Sequence, residues 1–175
     1  MSKAAYELVP DVVPTSGIGL TEKEADAIFE IAYLAILADH KLSDDEIEAF
    51  RGVVARVRRV VGADVNSPYR QASEPAVAKL SNAELDAVLD DLRGRTERVD
   101  ADERLRVLAK GLSPMAREVA YKIAFALGLA DMDSSDEEFE FDLQLVDALE
   151  FPSERAEELS DDVMAVLNGG GEGVT

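Results

Sequence analysis

From residue 21 the apolar positions repeat with the period of an α-helix. Ala25, Ile28, Phe29, Ala32, Tyr33 and Ile36 fall on one stripe. Thr21, with Glu24 three residues later, is a capping-box pair and marks where that helix begins. A second start is written in Leu42-Ser43-Asp44-Asp45-Glu46-Ile47. Ser43 is the N-cap, Glu46 its reciprocal partner, and Leu42 with Ile47 a hydrophobic staple; Ile47, Phe50, Val54, Val57 and Val61 then share a face up to Gly62. The same box and staple recur in Leu80-Ser81-Asn82-Ala83-Glu84-Leu85, opening a helix with Leu85, Val88, Leu89 and Leu92 inward.

A fourth helix near 100–110 buries Leu105 and Leu108 and stops at Gly111. Ser113-Pro114 is an N-cap followed by proline at the first helical position, where the missing N–H is harmless. The helix it opens turns Val119, Ile123, Ala126 or Leu127, and Ala130 inward. Ser135 and Glu138 cap a sixth, and Pro152-Ser153 open a seventh with Ala156, Leu159, Val163 and Val166 inside. Residues 139–145 alternate apolar and polar as a strand does, yet Phe139, Leu143, Val146 and Leu149 also form a helical stripe. A single strand here would have no partner, so helix is the reading.

The intervening segments differ in kind. Residues 1–20, with Pro10, Pro14, Gly17 and Gly19, read as an irregular arm. Residues 62–80 read as a long aperiodic connection, and 168–175 as a disordered tail. The expected architecture is all-α, one helical domain of about seven helices over residues 21–167.

One internal repeat organises this pattern. Residues 28–50 lie over residues 120–142 without a gap, at an offset of 92. Ile31 matches Ile123, Ala38-Asp39 matches Ala130-Asp131, Ser43 matches Ser135 and Glu46 matches Glu138. Each unit is an apolar helix ending in Ala-Asp, a short loop and a capped helix, which predicts a duplicated helical hairpin in a pseudo-two-fold bundle.

Composition narrows the function. The chain has 37 acidic and 18 basic residues, a formal charge of −19, one His and no Cys. Such a charge repels nucleic acid and anionic membrane surfaces and attracts cations and basic proteins. Without Cys there is no thiolate site or cysteine nucleophile, and one His cannot build a multi-His zinc site. No phosphate loop or nucleophile elbow is present, so the pattern argues against an enzyme and names no organic cofactor. No apolar run is long enough to span a membrane or to serve as a signal peptide, so the expected location is the cytoplasm.

The Ala-rich helix, Ala-Asp, short loop and Ser-Asp-Asp/Glu-Glu pattern resembles the tellurite-resistance TerB family, whose first loop typically reads A-D-G-x-[IL]-x-x-x-E. Here it is Ala38-Asp39-His40-Lys41-Leu42-Ser43-Asp44-Asp45-Glu46, with His40, and Met132 in the second loop, where the family usually has glycine. The resemblance implies an all-helical bacterial stress-response domain that binds a divalent cation (calcium, magnesium or manganese) through Asp39 and Glu46 in one loop and Asp131 and Glu138 in the other.

The residues themselves leave two readings open for these four carboxylates. They suit a hard cation that takes oxygen ligands. They also suit helix starts, where Glu46 and Glu138 complete capping boxes and acidic groups meet the positive end of the dipole. The second loop is not an EF-hand, because Asp136 stands at the required turn glycine and Asp142 at the bidentate Glu. His40 reads as an exposed loop residue. Arg51, Arg56, Arg58 and Arg59 read as a solvated face or as partners of the acidic half. Residues 131–162 hold 14 acidic residues against one basic, Arg155, a density that also suits docking to a basic protein surface. The alternative to a metal-binding stress-response domain is therefore a metal-independent acidic scaffold for protein partners.

Overall fold

The computed structural model of the chain describes residues 3–13, 19–37, 43–61, 80–130 and 136–168, with side chains from residue 6 and, in the last stretch, from residue 140. Eight α-helices lie in them: α1 Lys3–Leu8, α2 Glu22–Leu37, α3 Asp44–Val60, α4 Asn82–Thr96, α5 Ala101–Lys110, α6 Pro114–Ala130, α7 Asp136–Leu149 and α8 Ser153–Leu167. Extended pairing among the described residues is limited to an isolated parallel bridge between Leu20 and Val61. The expected all-α bundle is what is observed. None of these helices is long and apolar enough to cross a membrane.

The helix starts follow the side-chain caps. Thr21 and Glu24 exchange backbone hydrogen bonds of 3.1 and 3.0 Å. Ser43–Glu46 and Ser81–Glu84 complete the same reciprocal box. The Ser113 hydroxyl accepts from the Ala116 N–H at 3.2 Å, and the Asp100 carboxylate caps α5 through the Glu103 N–H at 3.1 Å. The proposed Ser135 cap and the connection 62–79 lie outside the described residues.

Helices α2 and α6 form the centre. Both are apolar almost all round, and α2 packs more extensively on α6 than on any other element. Helix α3 covers α2, α7 packs on α5 and α6, and α8 lies along α6. One continuous cluster of buried side chains joins them, including the fully buried Ile28, Ile31, Phe50, Leu105, Ile123 and Leu159.

Two expectations are corrected. The N-terminal arm is not irregular throughout, because residues 3–8 form α1 and Val9–Val12 a 3-10 turn. Tyr6, Val9, Val12 and Val13 are buried, so apolar burial orders a stretch whose prolines suggested a loose arm. Pro10 belongs to the short turn, and its ring lies against α3 where a Cβ on Gly52 would sit 2.5 Å from Pro10 Cγ. The second correction concerns α7. It is a helix, but its buried stripe is Phe141, Leu145, Ala148 and Leu149, and Leu143 faces outward at 54% exposure. Spacings of four and three residues make both stripes regular, and only packing on α5 and α6 selects between them.

The repeat units both fold as helix pairs, α2–α3 and α6–α7. Matched positions do different work. Phe50 is fully buried among apolar groups, whereas its counterpart Asp142 accepts a hydrogen bond from Tyr121. Glu30 is a buried anion, whereas its counterpart Lys122 reaches Asp162 at 3.8 Å.

Candidate functional site

Of the four loop carboxylates, Asp39 and Asp131 lie outside the described residues, and Glu138 sits on α7 with its side chain outside them as well. Glu46 is buried at the start of α3, where its Oε1 accepts from the Ser43 N–H at 3.2 Å and from the Ser43 hydroxyl at 3.0 Å. That carboxylate therefore performs the capping role. Among the described residues no group of three or more His, Asp or Glu is arranged to hold a metal ion. His40 also lies outside the described residues.

Arg51 and Arg56 of α3 are engaged within the fold. Arg56 pairs with Asp11 at 2.7 Å. Arg51 reaches Glu48 at 3.2 Å, the Leu80 carbonyl at 2.5 Å and Asn82 at 2.6 Å, tying α3 to the start of α4. Arg51 and Arg56 thus find their partners in Asp11, Glu48 and the start of α4. A cleft of about 330 Å³ between α2, α3 and α4 has Phe29, Val88 and Leu92 at its base and Asp26, Arg58, Glu84, Asp91 and Arg95 around it. Its charges answer one another: Arg95 bonds Asp91 at 2.5 Å, and Arg58 lies close enough to Glu84 to favour that carboxylate's charge.

Beneath this cleft sits Glu30, fully buried, held through both oxygens by Arg104 of α5, with Arg95 at 3.7 Å. Such a pair is geometrically demanding, because two charges leave water together and must satisfy each other. Glu24 links two helix starts. Its Oε2 accepts from the Ser113 N–H at 3.0 Å. Burial opposes its charge, but hydrogen bonds from Ser113 and Thr21 outweigh that and hold its carboxyl below the ordinary value.

The outer side of α6 is built differently. Glu118, Lys122, Phe125 and Leu129 recur at four, three and four residues and form one half-buried stripe. On one side lies α7: the Tyr121 hydroxyl donates to the Asp142 carboxylate, and the Tyr121 ring stands edge-on to Phe151, 5.7 Å between centroids. Burial, joined by the Asp142 charge and hydrogen bond, pushes the Tyr121 phenol up; burial likewise raises the Asp142 carboxyl, with the Tyr121 bond opposing. On the other side lies α8: Arg155 grips Glu118 through two bonds of 2.8 and 2.7 Å, and Lys122 meets Asp162. Both pairs advance in the same chain direction, so α8 runs parallel to α6. Helices α7 and α8 both pack on α6.

The flanking helices carry the charge anticipated from sequence. Glu140, Asp147, Glu150, Glu154, Glu157, Glu158, Asp161 and Asp162 are exposed. Asp147 pairs with Arg106 at 2.8 Å, Asp162 with Lys122, and Glu158 weakly with Arg155 at 3.4 Å; the others have no salt bridge to a described residue. Sequence reasoning found this acidity but not the exposed Leu143.

No protein-family model matches the chain, and neither the curated proteins nor the solved structures give a match.

Proposed function

We propose that the chain is a non-enzymatic, acidic helical module that docks a basic protein partner through α7, α8 and the outer side of α6. The observation that carries this reading is the contrast in charge satisfaction. Arg51, Arg56, Arg95, Arg104 and Glu30 are engaged inside the fold, whereas Glu140, Glu150, Glu154, Glu157 and Asp161 project from α7 and α8 without a salt bridge to a described residue. A surface of one sign steers a partner of the other and speeds encounter.

The stress-response reading with divalent metal rests on the TerB resemblance of the two loops. The capping bonds of Glu46 favour the docking reading over it, because one carboxylate of that set already completes a helix start. An amide NMR titration of chelator-treated protein with calcium, magnesium and manganese separates the two. Docking alone gives small, unsaturable shifts across α7 and α8 from counterion screening. Saturable shifts confined to residues 39–46 and 131–138 would replace it with the metal reading. Quantitative proximity labelling in the native cell, comparing the chain with a Glu154→Lys, Glu157→Lys, Asp161→Lys variant, tests the partner directly. Docking predicts that a defined set of basic proteins is lost; identical sets would refute it.

A further inference from the structure

We infer that Arg155 is a positioning residue of the docking surface: its clasp on Glu118 fixes the roll of α8 on α6 and so aims Glu154, Glu157 and Asp161 at the partner. This inference rests on the docking reading and names what orients that surface. Arg155 is the one basic residue in the acidic stretch 131–162. A lone cation there weakens attraction to a basic partner, so its charge works against docking. Its geometry works for it. Nε and Nη2 hold the two Glu118 oxygens at 2.8 and 2.7 Å, and Nη1 reaches Glu158 at 3.4 Å. A planar fork on a carboxylate fixes direction as well as distance, which a point charge does not. The bonds from Arg155 hold the Glu118 carboxyl below its ordinary value against its burial, so the clasp is charged at neutral pH.

Helix α8 has need of such a fixture. Its most deeply buried side chains are Leu159 and Val163, one turn apart on a single line, with Val166 and Leu167 half-buried beyond them. That line holds the helix close, but apolar burial is non-directional and resists rolling weakly. At about 100° per residue, Arg155 and Asp162 both fall about 40–60° to one side of Leu159. There they meet Glu118 and Lys122, four residues apart on α6. Glu154, Glu157 and Asp161 are exposed and lie about 140–160° from Leu159, on the opposite side of the helix. A roll about the apolar line turns these carboxylates away from a partner approaching that side. Each ion pair is partly exposed and adds little to the stability of the fold; what it adds here is direction.

The experiment uses the full chain and an alanine–lysine peptide of about 20 residues whose lysines share one helical face. Affinity is measured by calorimetry at physiological salt, with circular dichroism confirming that each variant is folded. Arg155→Gln makes the chain more negative, so docking by charge alone tightens binding, whereas loss of orientation weakens it. The expected result is a weakening of about threefold, the scale of one partly exposed ion pair. Arg93→Gln, the same charge change at an exposed position of α4, is expected not to weaken binding. Arg155→Lys, which keeps the charge and still reaches Glu118, is expected to restore most of the affinity. In a Glu118→Gln background, where the clasp is already gone, Arg155→Gln is expected to cost nothing further. Binding by Arg155→Gln as tight as that of the unaltered chain, or tighter, would overturn the inference and leave docking by charge standing. An undiminished loss in the Glu118→Gln background would overturn it too, because Arg155 would then act without Glu118. Failure of the unaltered chain to bind the peptide would bring down the docking reading with it.

Discussion

Residues 28–50 and 120–142, which can be set over each other without a gap in the sequence, place different charges at several matched positions. In the first, the central anion Glu30 is buried and clasped by Arg104, and Arg51 and Arg56 of α3 find partners on α4 and on the 3-10 turn. In the second, Lys122 takes the place of Glu30 and looks outward to Asp162, Asp142 takes the place of Phe50, and the helices beside α6 carry exposed carboxylates. One helical pattern thus accommodates a buried, clasped anion in one place and outward-facing ion pairs in the other. The distinction lies in which side-chain charges find partners, a property that hydrophobic periodicity does not encode.

The sharpest way to break the buried clasp is Arg104→Ala. It strips a fully buried carboxylate of its two-pronged partner, and Arg95, farther away, compensates in part. The expected loss is about 3 kcal/mol in denaturant unfolding. Restoring apolar character on both sides, with Glu30→Leu and Arg104→Leu together, is expected to recover most of it, because the cost lies in the orphaned charge.

Gly52→Ala comes next. The new Cβ meets the Pro10 ring, which must shift and carry the buried Val9 and Val12 with it. About 2 kcal/mol is expected, within the range for overpacking, with faster proteolysis of the first 13 residues as its companion signal.

The second segment is sharpened by pH. Burial raises the folded-state carboxyl of Asp142 above its ordinary value, so its ionisation opposes folding at neutral pH. That opposition is relieved as pH falls through the raised folded value towards the unfolded one. Glu24 and Glu118 act in the other direction: their folded values are lowered, so their stabilisation is present above about 4.5 and is lost as pH falls through those lowered values. Asp142→Asn is therefore expected to remove the mildly acidic gain and leave the loss at lower pH, as read by melting temperature against pH.

The smallest effect is expected at Glu150, which ends α7 with φ of 60°. There the Phe151 N–H bonds the Val146 carbonyl at 3.2 Å, a left-handed cap that glycine adopts without strain. Glu150→Gly is expected to stabilise the fold by about 0.5 kcal/mol in denaturant unfolding.

Much of the fold was legible because local chemistry wrote it. Thr21, Ser43, Ser81 and Ser113 announce their helices by side-chain bonds to backbone three residues away, and the stripes of α2, α4 and α6 are periodic enough to orient them. What escaped depended on distance. Glu30 and Arg104 are 74 positions apart. Burial of Tyr6, Val9 and Val12 overrode the reading of prolines as looseness. On α7, Leu143 and Leu145 each belong to an acceptable stripe, and only α5 and α6 decide between them. The candidate site followed the same division: the acidity of α7 and α8 was plain, whereas the pairing of Arg155 with Glu118 and of Lys122 with Asp162 emerges only from the packing of α8 on α6.

The most direct test is an amide NMR map of the full chain titrated with a soluble lysine-rich peptide. The account predicts shifts concentrated in residues 140–167, with α2 and α3 nearly silent. Shifts centred instead on the cleft between α2, α3 and α4, or spread evenly over all helices, would contradict it.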